Sequence, residues 1–185
     1  MSTPITDLTG KIAVLETELE VELAKRRAEL RVGLERGRVV FEEEIIRRHR
    51  ELRTKLSSYI LRAHPLVIIT APVIYSLIFP LLLLDLFVTV YQAVCFPAYG
   101  IAKVRRRDYL VFDRYHLGYL NALEKVNCAY CSYANGLIAY VREIAGRTEQ
   151  YWCPINHARR VIGAHPYYAR FQDYGDAAGF RATLT

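Results

Sequence analysis

The stretch Leu66–Tyr99 constrains this chain more than any other. It reads LVIITAPVIYSLIFPLLLLDLFVTVYQAVCFPAY, 34 residues in which Asp85 is the only charged side chain. As one helix it would be about 50 Å long, against a hydrocarbon core of about 30 Å. A single tilted span fits awkwardly, and two crossings of about 20 residues each fit worse. The remaining geometry is a re-entrant hairpin. Pro80 follows Leu77-Ile78-Phe79 and can end one arm while opening the next. The sequence therefore predicts a monotopic membrane hairpin, with one long span as the alternative.

The charge flanks point the same way. Arg47, Arg48, Arg50, Arg53, Lys55 and Arg62 precede the stretch, and Lys103, Arg105, Arg106, Arg107 and Arg114 follow it. Short basic flanks mark the cytoplasmic side, and a spanning helix would ordinarily show asymmetry. Both termini are thus expected in the cytosol, at the cytoplasmic face of the cell membrane. Lys103, Arg105, Arg106 and Arg107 are expected to meet anionic lipid headgroups, at roughly 1 kcal/mol per basic residue near the surface.

Asp85 needs a partner. A carboxylate at membrane depth costs about 3 kcal/mol on insertion scales, so it must be protonated, paired or turned toward protein. A proton or ion relay would use it, but the stretch has no second ionisable group. The preferred reading is a polar contact, either between copies or with Thr70, Tyr75 or Ser76 on the opposite arm.

The remaining composition is segregated. Hydrophobic residues make up 52% and charged residues 24%, and the net charge of +6 comes largely from the arginines beside the apolar stretch. Those arginines build no recognisable DNA- or RNA-reading motif, so nucleic acid is not an expected partner. The N-terminus lacks the basic and compact apolar regions of a secretory signal. The soluble parts are expected in a reducing cytosol, where thiols bind metal or react sooner than they form structural disulfides.

Residues 1–62 read as one long amphipathic helix. Leu8, Ile12, Leu19, Leu23, Leu30, Leu34, Phe41, Ile45, Leu52 and Leu56 alternate spacings of four and seven, an 11-residue period. That period keeps a narrow stripe straight or gently right-handed. A narrow stripe suits a seam against another helix, so a coiled-coil-like stalk and a homo-oligomer are expected.

The most specific chemical signal lies in residues 109–185, after the membrane hairpin and basic segment of 63–108. Cys128, Cys131, Cys153 and His157 form the pattern C-x2-C-x21-C-x3-H. A C-x2-C knuckle can turn two thiolates toward one ion, with a second half-site following an intervening helix over Gly136–Gln150. Four soft ligands in two pairs suit tetrahedral Zn²⁺, and a closed set of four argues for a structural site. The alternatives are an iron–sulfur cluster on the same ligands, a C-x2-C redox pair, or an open catalytic zinc helped by His116 or His165. Cys95 reads as packing within the apolar stretch, and His64 as an interfacial group before Pro65. Ten of the 14 tyrosines fall between Tyr109 and Tyr174, as suits a compact domain pressed against headgroups.

No nucleotide-binding glycine loop, G-x-S-x-G elbow or HExxH helix is present, so nothing marks an enzyme. The expected fold is mainly α: a coiled-coil-like helix, a membrane hairpin and a small metal-binding cytosolic domain. The expected function is a self-associating, membrane-anchored scaffold or accessory protein with a structural zinc. A membrane-associated iron–sulfur or thiol redox protein is the alternative.

Overall fold

The computed structural model of the chain describes residues 4–29, 32–35, 38–41 and 43–182. The fold is mainly helical, with one long apolar helix. It divides into two compact units, Met1–Tyr75 with Phe112–Ser132, and Ser76–Val111 with Tyr133–Thr185. Each unit is thus assembled from two separate stretches of the chain.

In the first unit, α1 spans Pro4–Glu29. Glu, Leu, Ala and Lys favour helix there, and the Asp7–Lys11 and Glu22–Lys25 pairs, at 3.0 and 3.3 Å, support its exposed faces. Leu8, Ile12, Leu15, Leu19 and Leu23 are all exposed. The expected continuous helix through Arg62 is not formed. Leu30 lies outside the described residues, and Leu34 and Phe41 belong to an antiparallel hairpin of β1 (Val32–Glu35) and β2 (Arg38–Phe41). Its register pairs Val32 with Phe41 and Glu35 with Arg38. The physical reason is local. Gly33 and Gly37 each cost a helix about 1 kcal/mol, while Val32, Val39, Val40 and Phe41 favour a strand.

Two short helices follow, α2 (Glu43–Glu51) and α3 (Leu56–Arg62). Glu43 and Glu44 open α2 and Arg48, His49 and Arg50 close it, matching the helix dipole. The His49 ring meets Tyr119 edge-on at 5.0 Å.

The apolar stretch begins with α4 (Pro65–Ser76) and continues as α5 (Ile78–Ala98). Leu77, between them, keeps right-handed helical dihedrals (φ −63°, ψ −12°), and the Leu81 N–H bonds to the Leu77 carbonyl at 3.2 Å. Pro65–Ala98 therefore counts as one apolar helix of 34 residues, long and apolar enough to cross a membrane. The hairpin expected over this stretch is not confirmed. Pro80 sits in the first turn of α5, a position that tolerates proline.

The reversal comes at Gly100 instead. With Gly100 at φ 68°, its N–H bonds to the Pro97 carbonyl and the Ile101 N–H to the Phe96 carbonyl. These are the two bonds of a glycine-capped helix end. The chain then runs back beside α5, because the Val104 N–H bonds to the Gln92 side chain at 2.6 Å and Arg106 reaches Asp85. This return segment, 101–111, packs against α5 on one side and α6 (Ala122–Trp152) on the other.

The core of the second unit sits where these three meet: Phe96, Val104, Leu110, Leu137, Tyr140 and Ile144. Gly136 makes the packing possible, since a Cβ there would lie 2.6 Å from the Tyr109 carbonyl oxygen. In the first unit, α6 opens with a capping box. The Asn121 side chain accepts the Glu124 N–H at 3.0 Å, and Glu124 accepts the Asn121 N–H at 2.8 Å.

Candidate functional site

Two surfaces of α5 differ sharply. One stripe, Leu81, Asp85, Val88, Gln92 and Phe96, recurs every three or four residues and is covered by the return segment and α6. The rest of the circumference is apolar and exposed. Phe79, Leu82, Leu83, Leu86, Phe87, Val90 and Val94 all face outward, with Phe87 64% exposed. A continuous apolar patch on this scale marks a contact with lipid or protein.

The polar residues of the run all lie on or beside the covered stripe. Arg106 grips Asp85 with two bonds, Nε to Oδ1 at 3.2 Å and Nη2 to Oδ2 at 2.6 Å. Tyr133 donates to the same carboxylate at 3.0 Å, and Thr89 at 3.4 Å. The Asp85 side chain is 14% exposed and that of Arg106 47%. The Asp85 hydrogen bonds hold the Arg106 guanidinium above its ordinary pKa, while burial and then the Asp85 bond raise the Tyr133 phenol. Seven residues on, Gln92 accepts the Val104 N–H and donates to the Tyr140 hydroxyl at 2.8 Å. Tyr91 meets Thr148 at 3.0 Å. Farther along, Arg147 bonds Glu143 at 2.8 Å and donates to the Ala102 carbonyl at 2.6 Å, and Tyr167 donates to Glu143.

Asp85 is therefore satisfied within its own chain. Arg106 and Tyr133 hold it here, whereas the partners expected within the chain are Thr70, Tyr75 and Ser76. Those residues lie on α4, where Thr70 bonds the Leu66 carbonyl and Tyr75 donates to Asn127. Among the four basic residues expected at headgroups, Arg106 is engaged by Asp85, whereas Lys103, Arg105 and Arg107 are exposed. All four lie on the segment that runs back along α5, not beyond its end.

The metal-ligand set is not brought together. Cys128 and Cys131 stand one turn apart on α6, and Cys153 immediately follows its last residue. Cys128 and Cys153 are 25 positions apart on that helix, the Cys153 N–H still bonding to the Glu149 carbonyl. The reason is that residues 132–135 stay helical and Gly136, expected to begin a second helix, is a close-packing point within α6.

His157 is placed separately, its backbone N–H donating to the Tyr168 hydroxyl at 2.6 Å and its ring stacked on that tyrosine. The other histidines are also dispersed. His165 meets Glu149 at 2.8 Å, and His64 accepts the Leu66 N–H at 3.3 Å. Among the described residues no group of three or more His, Cys, Asp or Glu side chains could hold a metal ion.

The sequence reading missed Arg106, Tyr133, Gln92 and Tyr140 as a set. The available signals were Gly100 at the end of the apolar run and the seven-residue spacing of Asp85 and Gln92, which puts both on one helix face. Comparison with known proteins adds no functional information: no family model, curated protein or solved structure matches the chain.

Proposed function

We propose that this chain is a self-associating, non-catalytic scaffold seated on the cytoplasmic face of a membrane. In this reading α5 lies in the plane of the interface and neither spans the bilayer nor dips into it as a hairpin. The observation that carries it is the asymmetry of α5, with lipid-compatible side chains around most of its surface and a polar layer strapped along the remaining stripe.

Charge placement favours the in-plane arrangement. Lys103, Arg105 and Arg107 are exposed on the return segment, and Arg106 next to them reaches Asp85 within α5. If α5 crossed the bilayer, these side chains would be carried toward its hydrocarbon centre, at about 2.5–3.5 kcal/mol each on insertion scales. With α5 lying flat, its exposed face enters the acyl boundary while the basic segment stays at headgroup level. Helix length then ceases to be a puzzle, because an in-plane helix need not match bilayer thickness. Both termini fall on one side, as the symmetric basic flanks suggest.

Self-association is supported by α1, whose exposed Leu8, Ile12, Leu15, Leu19 and Leu23 form a row suited to a second helix. Structural zinc is not part of the proposal, because no group of three His, Cys, Asp or Glu side chains comes together among the described residues. The iron–sulfur alternative rested on the same four residues.

The test is a depth measurement in vesicles. In a background where Trp152 is replaced by Phe, tryptophans are introduced singly as Phe87→Trp and Arg105→Trp, and quenching by brominated acyl chains is recorded. The reading requires strong quenching at position 87 and little at 105. Equal, deep quenching at both positions would show that the unit is immersed and would remove the in-plane arrangement.

A further inference from the structure

A cavity of about 270 Å³ lies within the first unit, lined by Phe112, Arg114, Tyr115, His116, Lys125, Cys128, Ala129 and Ser132. Its wall is built from two segments. The tight turn Asp113–His116 contributes a guanidinium and an imidazole, and α6 contributes Lys125, Cys128, Ala129 and Ser132 at i, i+3, i+4 and i+7, one face of the helix. Among the described residues no carboxylate lines the cavity. Glu124, the nearest acid on α6, is occupied by the backbone N–H of Asn121. The Lys125 ammonium lies 4.7 Å from the centre of the Tyr115 ring, a contact that orients the charge without neutralising it. Among the described residues neither Arg114 nor Lys125 has an ion-pair partner.

We propose that this cavity binds a phosphate group. Two permanent cations match the charge of about −1.5 to −2 on a phosphate monoester at neutral pH. The guanidinium supplies a planar fork of donors, the ammonium a point charge, and His116 and Ser132 supply further donors to the remaining oxygens. Phe112, Tyr115 and Ala129 give apolar walls for whatever the phosphate is attached to. The phosphate can come from a lipid headgroup or from a free phosphate ester, since the recognising chemistry is the same. The cavity is lined only by residues of the first unit, so this inference does not depend on the seating of α5.

Cys128 provides the readout, because it lines the cavity and Cys153 does not. The full-length protein in detergent is alkylated with iodoacetamide, and modification at each cysteine is followed by mass spectrometry. Inorganic phosphate is compared with chloride at equal ionic strength, and phosphatidylcholine vesicles with phosphatidylcholine vesicles containing phosphatidic acid. In parallel, phosphate is titrated into the wild-type protein by calorimetry, which gives an answer even if Cys128 reacts slowly.

Protection of Cys128 by inorganic phosphate, with Cys153 unchanged, supports the site and points to a free phosphate ester. Protection by phosphatidic acid vesicles alone supports it and points to a lipid headgroup. The Arg114→Gln and Lys125→Gln variants are each expected to weaken binding about tenfold, the worth of one charge-assisted bond. The proposal is overturned if neither phosphate source protects Cys128 and calorimetry registers no binding. It is equally overturned if chloride or plain phosphatidylcholine protects as well, or if the double variant retains full protection.

Discussion

α4 and α5 are two parts of one apolar helix, yet the chain treats them differently. In α4 no residue is buried, and ties to α6 are confined to its last turn, where Tyr75 donates to Asn127 and Tyr130 donates to the Ile74 carbonyl at 2.8 Å. In α5 both Gln92 and Phe96 are buried, and hydrogen bonds run from Asp85 to Gln92 along the covered stripe. Both segments are about equally greasy, so apolarity alone does not decide which is fastened. The few polar residues decide it. Asp85 and Gln92 cannot be left in hydrocarbon without large cost, and each recruits partners from the returning chain and α6.

If that contrast holds, it breaks most visibly at Phe96. This ring is 0% exposed and anchors the core, so Phe96→Ala should destabilise the protein by about 3–5 kcal/mol. Phe87→Ala, on the exposed face of the same helix, should stay within about 0.5 kcal/mol in detergent while weakening vesicle binding. Thermal unfolding followed by circular dichroism measures the first difference, and vesicle flotation the second. Equal thermal losses at both positions would erase the distinction between the covered and exposed faces.

A smaller effect is expected at Gly136. An added methyl would meet the Tyr109 carbonyl oxygen at 2.6 Å, so Gly136→Ala should cost about 1–3 kcal/mol through overpacking. Gly10 in α1 makes the contrast, because nothing lies within 4 Å of a Cβ built there. Gly10→Ala should raise helicity, with a gain of up to about 1 kcal/mol in α1. If Gly136→Ala proved neutral, the return segment would not be packed against α6 as described.

The Asp85–Arg106 pair comes next. Arg106 is half exposed, so solvent screening reduces what two charge-assisted bonds contribute, to about 1–2 kcal/mol. A double-mutant cycle with Asp85→Asn and Arg106→Gln should recover that much coupling in thermal unfolding. A cycle pairing Asp85→Asn with Arg105→Gln should recover almost none. Coupling to Arg105 in place of Arg106 would shift the return segment by one residue and bring down the assignment of the covered stripe.

These contrasts also mark what could be read from the residues alone. The apolar helix was legible because nothing but Asp85 interrupts it. The partner of Asp85 was not. Three consecutive arginines are equivalent in sequence, and the choice among them is made by the backbone of the return segment, whose tight turn begins at Arg106. Gly100 carried a readable signal, a glycine just beyond the end of an apolar helix, but the reversal it permits joins residues 21 positions apart. Around Gly33 and Gly37 an 11-residue periodicity competed with local strand propensity, and the propensity prevailed. For Gly136 the competition ran the other way: a glycine normally marks a boundary, but packing against Tyr109 kept it inside a helix.

The smallest effect is expected at the cysteines, and it bears on the same competition. A C-x2-C pair has two geometries, a knuckle that turns both thiols to one ion or two side chains on adjacent turns of a helix. Here α6 imposes the second, and Cys153 lies a further 22 positions along the same axis from Cys131. Cys128→Ser and Cys153→Ser should therefore act independently, their effects on thermal stability adding within about 0.5 kcal/mol. Were all four residues ligands of one structural ion, either change alone would remove most of its stabilisation and the second would add little. That non-additivity, together with stoichiometric metal lost from both single variants, would mean that α6 is interrupted between Cys131 and Cys153. Because a broken α6 would also release Tyr140 from Gln92 and Tyr133 from Asp85, it would unfasten α5 as well.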